Sequence, residues 1–185
     1  MRLFVAIDIP LEIKEKIDLF LFDFEKEIKS PVKWVERDNL HINLKFIGEV
    51  LDKKTTEITE AINRALQDYN NHQPLVVNIE NVLVFPNLYQ PRVIGLKILT
   101  DKNLAELANK IKSEIEKLPD IEKETRQFKP HLTLGRVKGS LTNSERELIK
   151  NIKFTDSFTA GEIILYQSFL SAGGPEYKKV NKFEL

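Results

Sequence analysis

Cysteine is absent from the 185-residue chain. One absence therefore removes a disulfide framework, a thiolate zinc centre and a cysteine nucleophile, and it agrees with a reducing compartment, the cytoplasm being the expected location. The chain also lacks an apolar run of the ~18 residues that a bilayer-spanning helix needs, so no membrane association is expected. Residues 1–10, MRLFVAIDIP, have neither the long apolar region nor the small-residue cleavage site of a signal peptide, and read as a first strand. Excess charge of either sign is missing too: 28 basic side chains balance 28 acidic ones. Long-range attraction of nucleic acid to the whole surface is thereby excluded, and only a local basic cleft stays open. Methionine occurs once while Lys and Glu abound, a usage resembling that of hyperthermophile proteins.

What is present is enough for a core. With 42% hydrophobic residues and no net charge, the chain is not a disordered one. Its length suits one domain, or two small lobes sharing a core, and needs no disulfide or metal to hold it. Strand-like runs are expected at 3–9, 32–35, 40–50, 75–84, 92–99, 127–137, 158–170 and 177–185. A helix opening at Pro10 carries Ile13, Ile17, Phe20, Leu21, Phe24 and Ile28 at helical spacing, and a second carries Ile58, Ala61, Ile62, Ala65, Leu66 and Tyr69. Asp101 is placed to cap a third with Leu104, Leu107, Ala108, Ile111 and Ile115, and Thr142 with Glu145 fits a capping box for a fourth. Polar loops are expected at 70–74 and 171–175. The Gly173-Gly174 pair reads as a turn, because neither a Lys-Ser/Thr pair nor a helix follows it. Short connections between strands favour antiparallel pairing, giving an α+β fold with helices on the outer faces of the sheets.

One short sequence recurs. Leu40-His41-Ile42-Asn43-Leu44-Lys45 is echoed by Pro130-His131-Leu132-Thr133-Leu134-Gly135, which suggests duplicated halves. Side chains alternate across a strand. Ile42, Leu44 and Phe46 should then face a core, with His41, Asn43 and Lys45 on the opposite side, and His131 and Thr133 should likewise oppose Leu132 and Leu134. Two imidazoles facing one cleft can divide acid and base duties near neutral pH, because the ordinary imidazole titrates near 6.5. Phosphodiester cleavage in RNA needs both services, and it needs donors for the phosphate oxygens: Asn43, Thr133 and nearby cations. Basic residues gather around each motif: Lys33, Arg37 and Lys45 near the first, and Arg126, Lys129, Arg136 and Lys138 near the second. Strict alternation would put Arg136 on the apolar side, so a twist or bulge at Gly135 is required to bring it to the histidine face. Trp34, Phe46, Tyr89, Phe128 and Tyr177 are candidates for stacking on a base, with Tyr177 the best placed. The third histidine, His72, lies in a polar loop and is read as a bystander. A metal site would want a further carboxylate or histidine on the strand face, and none sits at a workable offset.

At these residues the chain resembles the two-histidine (2H) phosphoesterases, and in particular the bacterial and archaeal RNA 2',3'-cyclic phosphodiesterases, also called 2'-5' RNA ligases. The two His-x-Thr/Ser-x motifs of that family match His41-Ile42-Asn43-Leu44 and His131-Leu132-Thr133-Leu134. The flanks fit as well: 2–8, Lys45-Phe46-Ile47-Gly48-Glu49, Val84-Phe85-Pro86, Gly135-Arg136 and the segment from Ser168 to Phe183. The resemblance implies one bilobal unit over residues 1–185, with two similar lobes, each an antiparallel sheet with outer helices, around a central cleft. It implies hydrolysis of RNA or nucleotide 2',3'-cyclic phosphate ends to 2'-phosphates without metal or cofactor, and the reverse ligation chemistry. His41 and His131 would be the acid–base pair, with Asn43, Thr133 and Arg136 on the phosphate and Lys45, Phe46 and Tyr177 on the substrate. A monomer is expected. Asn43 departs from the Thr or Ser of the family, which predicts weakened activity or altered substrate choice. The rival expectation is a non-catalytic RNA or nucleotide binder that keeps the cleft.

Overall fold

A computed structural model describes residues 1–69, 74–171 and 174–185. His72 and the Gly173 position of the expected turn lie outside the described residues. Among the described residues, nine strands and four α-helices follow one another as β1 (Arg2–Asp8), α1 (Leu11–Glu27), β2 (Val32–Trp34), β3 (His41–Glu49), α2 (Lys54–Asp68), β4 (Leu75–Phe85), β5 (Val93–Ile98), α3 (Lys102–Ile115), β6 (His131–Val137), α4 (Asn143–Asn151), β7 (Asp156–Ala160), β8 (Glu162–Ser171) and β9 (Gly174–Glu184). A single 3-10 turn, Arg37–Asn39, precedes β3.

All strand pairings are antiparallel, in the order β7-β4-β5-β6-β3-β1-β8-β9, with β2 added on β6. The two halves of this sheet meet through one residue pair, Ile42 opposite Leu132. Beyond that pair the edge of β6 is taken by β2, with Trp34 opposite Gly135 and Lys33 opposite Arg136. The α+β architecture and its two-part arrangement thus appear as a sheet hinged at the repeated motifs. The expected strand over 158–170 is instead two strands, β7 and β8, which break at Gly161 because β7 pairs with β4 in one half and β8 with β1 in the other. An apolar run alone cannot reveal such a crossing.

One face of the sheet is closed by the helices. Leu3, Val5, Ile7, Ile42, Ile94, Leu96, Leu132 and Leu134 are all completely buried there, and α1 contributes Ile13, Ile17, Leu21 and Phe24 to the same core. Truncating a side chain such as Ile42 or Leu132 to alanine would cost about 2–5 kcal/mol. The helix termini follow their sequence signals. The Asp101 carboxylate accepts from the Leu104 N–H at 2.7 Å, and Thr142 with Glu145 forms a complete capping box. Glu145 also accepts from the Lys29 and Ser30 N–H groups at 2.6 and 2.7 Å and from the Ser30 hydroxyl, which ties α4 to the residues that lead into β2. The other face of β1 and β8 carries a separate small cluster, Phe4, Ala6, Ile164 and Tyr166, with Tyr177 packed against it. This second cluster floors one side of a cleft.

Candidate active site

Both motif strands depart from a regular ladder at the same place. Val5 pairs with Lys45 but Ala6 with Asn43, leaving Leu44 as the extra residue; Ile94 pairs with Gly135 but Gly95 with Thr133, leaving Leu134 extra. A bulge of this kind turns two successive side chains to one face and resets the alternation after them. The outcome is the same burial sequence in both strands: half-buried His, buried apolar, half-buried Asn or Thr, two buried residues, then an exposed one. Arg136 therefore reaches the histidine face, and the bulge lies where that placement required one.

The same bulge relocates two other residues. Lys45, expected in the cleft, points into the core side, where it is 4% exposed and donates to the Glu116 carboxylate at 2.6 Å. Phe46, expected beside Ile42 and Leu44, lies in the cleft and is 41% exposed. Strict alternation failed for both because one unpaired residue shifts every later side chain to the other face.

The two imidazoles are held alike. The His41 Nδ1–H donates to the Asn39 carbonyl at 2.7 Å, and the His131 Nδ1–H donates to the Lys129 carbonyl at 2.9 Å. A carbonyl only accepts, so in each ring Nδ1 carries the hydrogen. Nε2 is then the nitrogen left to exchange a proton. Around them lies a cleft of about 770 Å³. Its wall includes His41, Asn43, Phe46 and Tyr177 from one half and His131, Thr133 and Arg136 from the other. Arg2 and Lys33 add positive charge to it, against Glu36 and Glu176.

The environments of the two rings differ. His41 packs among Phe4, Tyr177 and Tyr166, with ring centroids 4.9, 5.2 and 6.4 Å away. His131 touches Phe85 at 4.8 Å. Burial lowers the His41 pKa below the ordinary 6.5, opposed by the bond to the Asn39 carbonyl and by Asp8 but helped by the charges of His131 and Arg136. His41 is thus neutral at pH 7. Burial raises the Tyr177 hydroxyl pKa against the pull of Arg136 and Arg2, so that group stays a donor. Asn43 has a buried Oδ1 with no hydrogen-bond partner.

Of the stacking candidates, Trp34, Phe46 and Tyr177 line the cleft, whereas Tyr89 and Phe128 do not. Of the basic residues near the motifs, only Lys33 and Arg136 line it. Arg37 pairs with Asp18 and Arg126 with Glu124. Sequence reasoning missed Arg2 and Phe4, whose strand is apolar on both faces and shows no alternation, and Ser168, at the end of an equally uniform run. Among the described residues, no three His, Cys, Asp or Glu side chains converge as a metal-holding group would need. No helix of the described residues is long and apolar enough to cross a membrane.

A hinged antiparallel sheet that offers two His-x-Asn/Thr strands to one cleft defines a two-histidine phosphoesterase. Residues 25–168 match the model of the 2'-5' RNA ligase superfamily, and the chain belongs to that superfamily. Over 189 aligned positions it is 38% identical to an RNA 2',3'-cyclic phosphodiesterase of Archaeoglobus fulgidus, with both chains covered in full. A Methanocaldococcus jannaschii protein of the same name is 37% identical over 188 positions, covering 99% of this chain and 100% of that one. Among solved structures, TT0787 of Thermus thermophilus superposes with a TM-score of 0.84 at 25% identity, covering 100% of this chain and 98% of that one. Escherichia coli LigT complexed with 3'-AMP superposes with a TM-score of 0.77 at 26% identity, covering 100% and 97%.

Proposed function

We propose that the chain acts as one bilobal unit that hydrolyses the 2',3'-cyclic phosphate of an RNA end or nucleotide to a 2'-phosphate. The observation that carries this is the pair of imidazoles, each tied through Nδ1 to the carbonyl two residues before it, at equivalent positions beside the Ile42–Leu132 pair. Water attacks phosphorus as one Nε2 takes its proton. The bond from phosphorus to O3' breaks as the other imidazolium gives a proton to O3'. The exchange leaves the two rings with reversed protonation, and solvent restores it. His41, neutral at pH 7, is ready to take a proton. The Asn43 amide, the Thr133 hydroxyl and Arg136 line the place where the phosphate oxygens would gather charge, and donors aimed there lower the barrier. A ribose 5'-hydroxyl in place of water would give a 2'-5' linkage by the same transfers. The names of the relatives and the bound 3'-AMP of the LigT structure support a nucleotide substrate.

The test is turnover of adenosine 2',3'-cyclic phosphate. His41→Ala and His131→Ala should each lower kcat by about 10²–10⁴-fold, with little further loss in the double variant because the two act as a unit. EDTA should leave the rate unchanged. Turnover that survives both substitutions would overturn the assignment. A second reading, a binder without turnover, draws on the orphaned Asn43 amide oxygen. Saturable nucleotide binding with no product in the same assay would favour it.

A further inference from the structure

Strand β1 is apolar from Leu3 to Ile7 and then ends in a charge, Asp8. The Asp8 side chain is 15% exposed, and four donors hold its carboxylate: the Lys14 ammonium at 2.9 Å, the Lys179 ammonium at 2.6 Å, the Ile9 N–H at 2.9 Å and the Tyr166 hydroxyl. Burial alone would raise the Asp8 pKa, but Lys179 and Lys14 outweigh it and hold the group below its ordinary 3.8. Asp8 is therefore a carboxylate throughout the range in which an imidazole titrates.

Asp8 lies directly opposite His41 on the β1–β3 ladder. Opposite side chains of an antiparallel pair have Cβ atoms about 4.5–5.5 Å apart. The carboxylate acts on the ring through charge alone, because the His41 Nδ1–H is held by the Asn39 carbonyl. It does not line the cleft, so it stands behind the imidazole and out of reach of a substrate. The other half differs: the residue opposite His131 is Lys97, which is exposed and bonded to Glu80 at 2.9 Å.

In the proposed reaction, the proton of the attacking water passes to His41 Nε2 as oxygen bonds to phosphorus, and the electron pair of the breaking P–O3' bond takes a proton from His131. His41 thereby becomes a cation packed among Phe4, Tyr166 and Tyr177. Of the charges around it, His131 and Arg136 on β6 oppose that proton and Asp8 on β1 favours it. Tyr166 on β8 and Tyr177 on β9 are phenols whose pKa burial raises, and Arg2, Lys33, Glu36 and Glu176 stand at the cleft wall. We propose that Asp8 is a positioning residue for the reaction: its carboxylate, fixed by Lys14, Lys179 and Tyr166, is the counter-charge that lets His41 hold the proton taken from water. The proposal rests on the phosphodiesterase reading above.

The experiment follows the His41 ring by NMR between about pH 4 and 9 in wild type, Asp8→Asn and Lys179→Gln. It also measures kcat/KM on adenosine 2',3'-cyclic phosphate over the same range. Asparagine keeps the shape of Asp8 and removes its charge, so His41 should protonate at lower pH than in wild type. Lys179→Gln removes a cation and keeps the carboxylate, so His41 should protonate at higher pH. A base works only when neutral, so the acid limb of kcat/KM should move the same way in each variant. At pH 7, Asp8→Asn should lower kcat/KM by about 3- to 30-fold, a part of what a positioned base supplies. A His41 titration that is unmoved in both variants, or moved in one direction by both, would overturn the proposal. So would a ring that moves as expected while kcat/KM and its acid limb stay as in wild type. Should Asp8→Asn not fold, the exposed Lys179→Gln carries the test, and a titration that fails to rise overturns it. Wild type that turns over no substrate would strike the phosphodiesterase reading alone. The ring titration needs no turnover and would then decide whether Asp8 is the counter-charge of His41.

Discussion

Strands β3 and β6 share a backbone and differ in what hangs from it. Each begins with a histidine bonded to the carbonyl two residues back, each carries a bulge at the fourth residue, and each sends its sixth residue to the cleft. Yet the second bulge residue is Lys45 in one and Gly135 in the other, and the sixth is Phe46 or Arg136. His41 sits among three aromatic rings, while Phe85 is the ring beside His131. The comparison separates two demands. In the proposed reaction, proton transfer on both sides of one phosphorus needs two matching imidazoles, and repeated backbone geometry supplies them. An asymmetric substrate needs walls that do not match, and side chains that are free to differ supply those.

The largest way to break the comparison without touching a histidine is Lys45→Met. Lys45 is buried under the motif, and its partner Glu116 also accepts from the Glu124 N–H at 2.8 Å, so the pair anchors the irregular segment that leads to His131. Removing one member of a buried pair costs about 3–5 kcal/mol, because the other charge is left without compensation. Burial alone would raise the Glu116 pKa, but Lys45 and the Glu124 N–H outweigh it and hold the carboxyl below its ordinary 4.5. A depressed carboxyl contributes stability above its unfolded pKa and loses it as pH falls through the folded one. The deficit of Lys45→Met, measured by urea unfolding, should therefore be full at pH 7 and shrink below about pH 4. A deficit that does not change with pH would show that the ion pair is not its source.

Gly135→Ala probes the other strand at the equivalent place. A Cβ on Gly135 would lie 2.6 Å from Val32 Cγ1 and 2.8 Å from Trp34 Cε3. Val32 is stiff, and the Trp34 ring is packed edge-on against Phe24 at 5.8 Å. Strand β2 must then move, at an overpacking cost of about 1–3 kcal/mol, and it takes the cleft-lining Lys33 and Trp34 with it. Loss of stability together with a raised KM is the expected outcome. Stability loss with KM unchanged would mean that β2 does not shape the substrate site.

These contrasts also show how much of the fold and of the site is legible in the sequence. The histidines, Asn43 and Thr133 could be placed because period-two alternation holds up to the bulge, and the echo between the strands marked them as a pair. Past the bulge the pattern inverts. Arg136 reaches the cleft as its chemistry demands, whereas alternation puts Lys45 on the wrong face and puts Phe46 in the core, although the family resemblance places Phe46 on the substrate. Nothing in Leu44 or Leu134 announces an unpaired residue. Helix caps were legible because their bonds are local, as at Asp101 and Thr142. The break between β7 and β8 is not, because it depends on partners 77 to 166 residues distant in sequence, such as Leu75 for Ala160 and Ile7 for Ile163.

The smallest expected effect sharpens the comparison by making the halves more alike. Asn43 is the one motif residue that differs in type from its counterpart, Thr133, and its Oδ1 is buried without a partner. An orphaned buried acceptor costs about 1–3 kcal/mol, and the planar amide fixes its N–H donor relative to that oxygen. Threonine at 43 replaces the planar amide by a rotatable hydroxyl on a short β-branched stem that suits a strand. Asn43→Thr should therefore unfold at a slightly higher temperature. It should also raise kcat on adenosine 2',3'-cyclic phosphate by about tenfold, well within the range that one misplaced oxyanion donor can cost. Both changes are needed for the argument. A gain in stability with no gain in kcat would mean that the amide oxygen is a purely structural defect and that Thr133 and Arg136 already satisfy the phosphate. A fall in kcat would mean that the longer reach of the amide N–H is the better fit for this cleft, and that the two halves differ at this position for the benefit of the substrate.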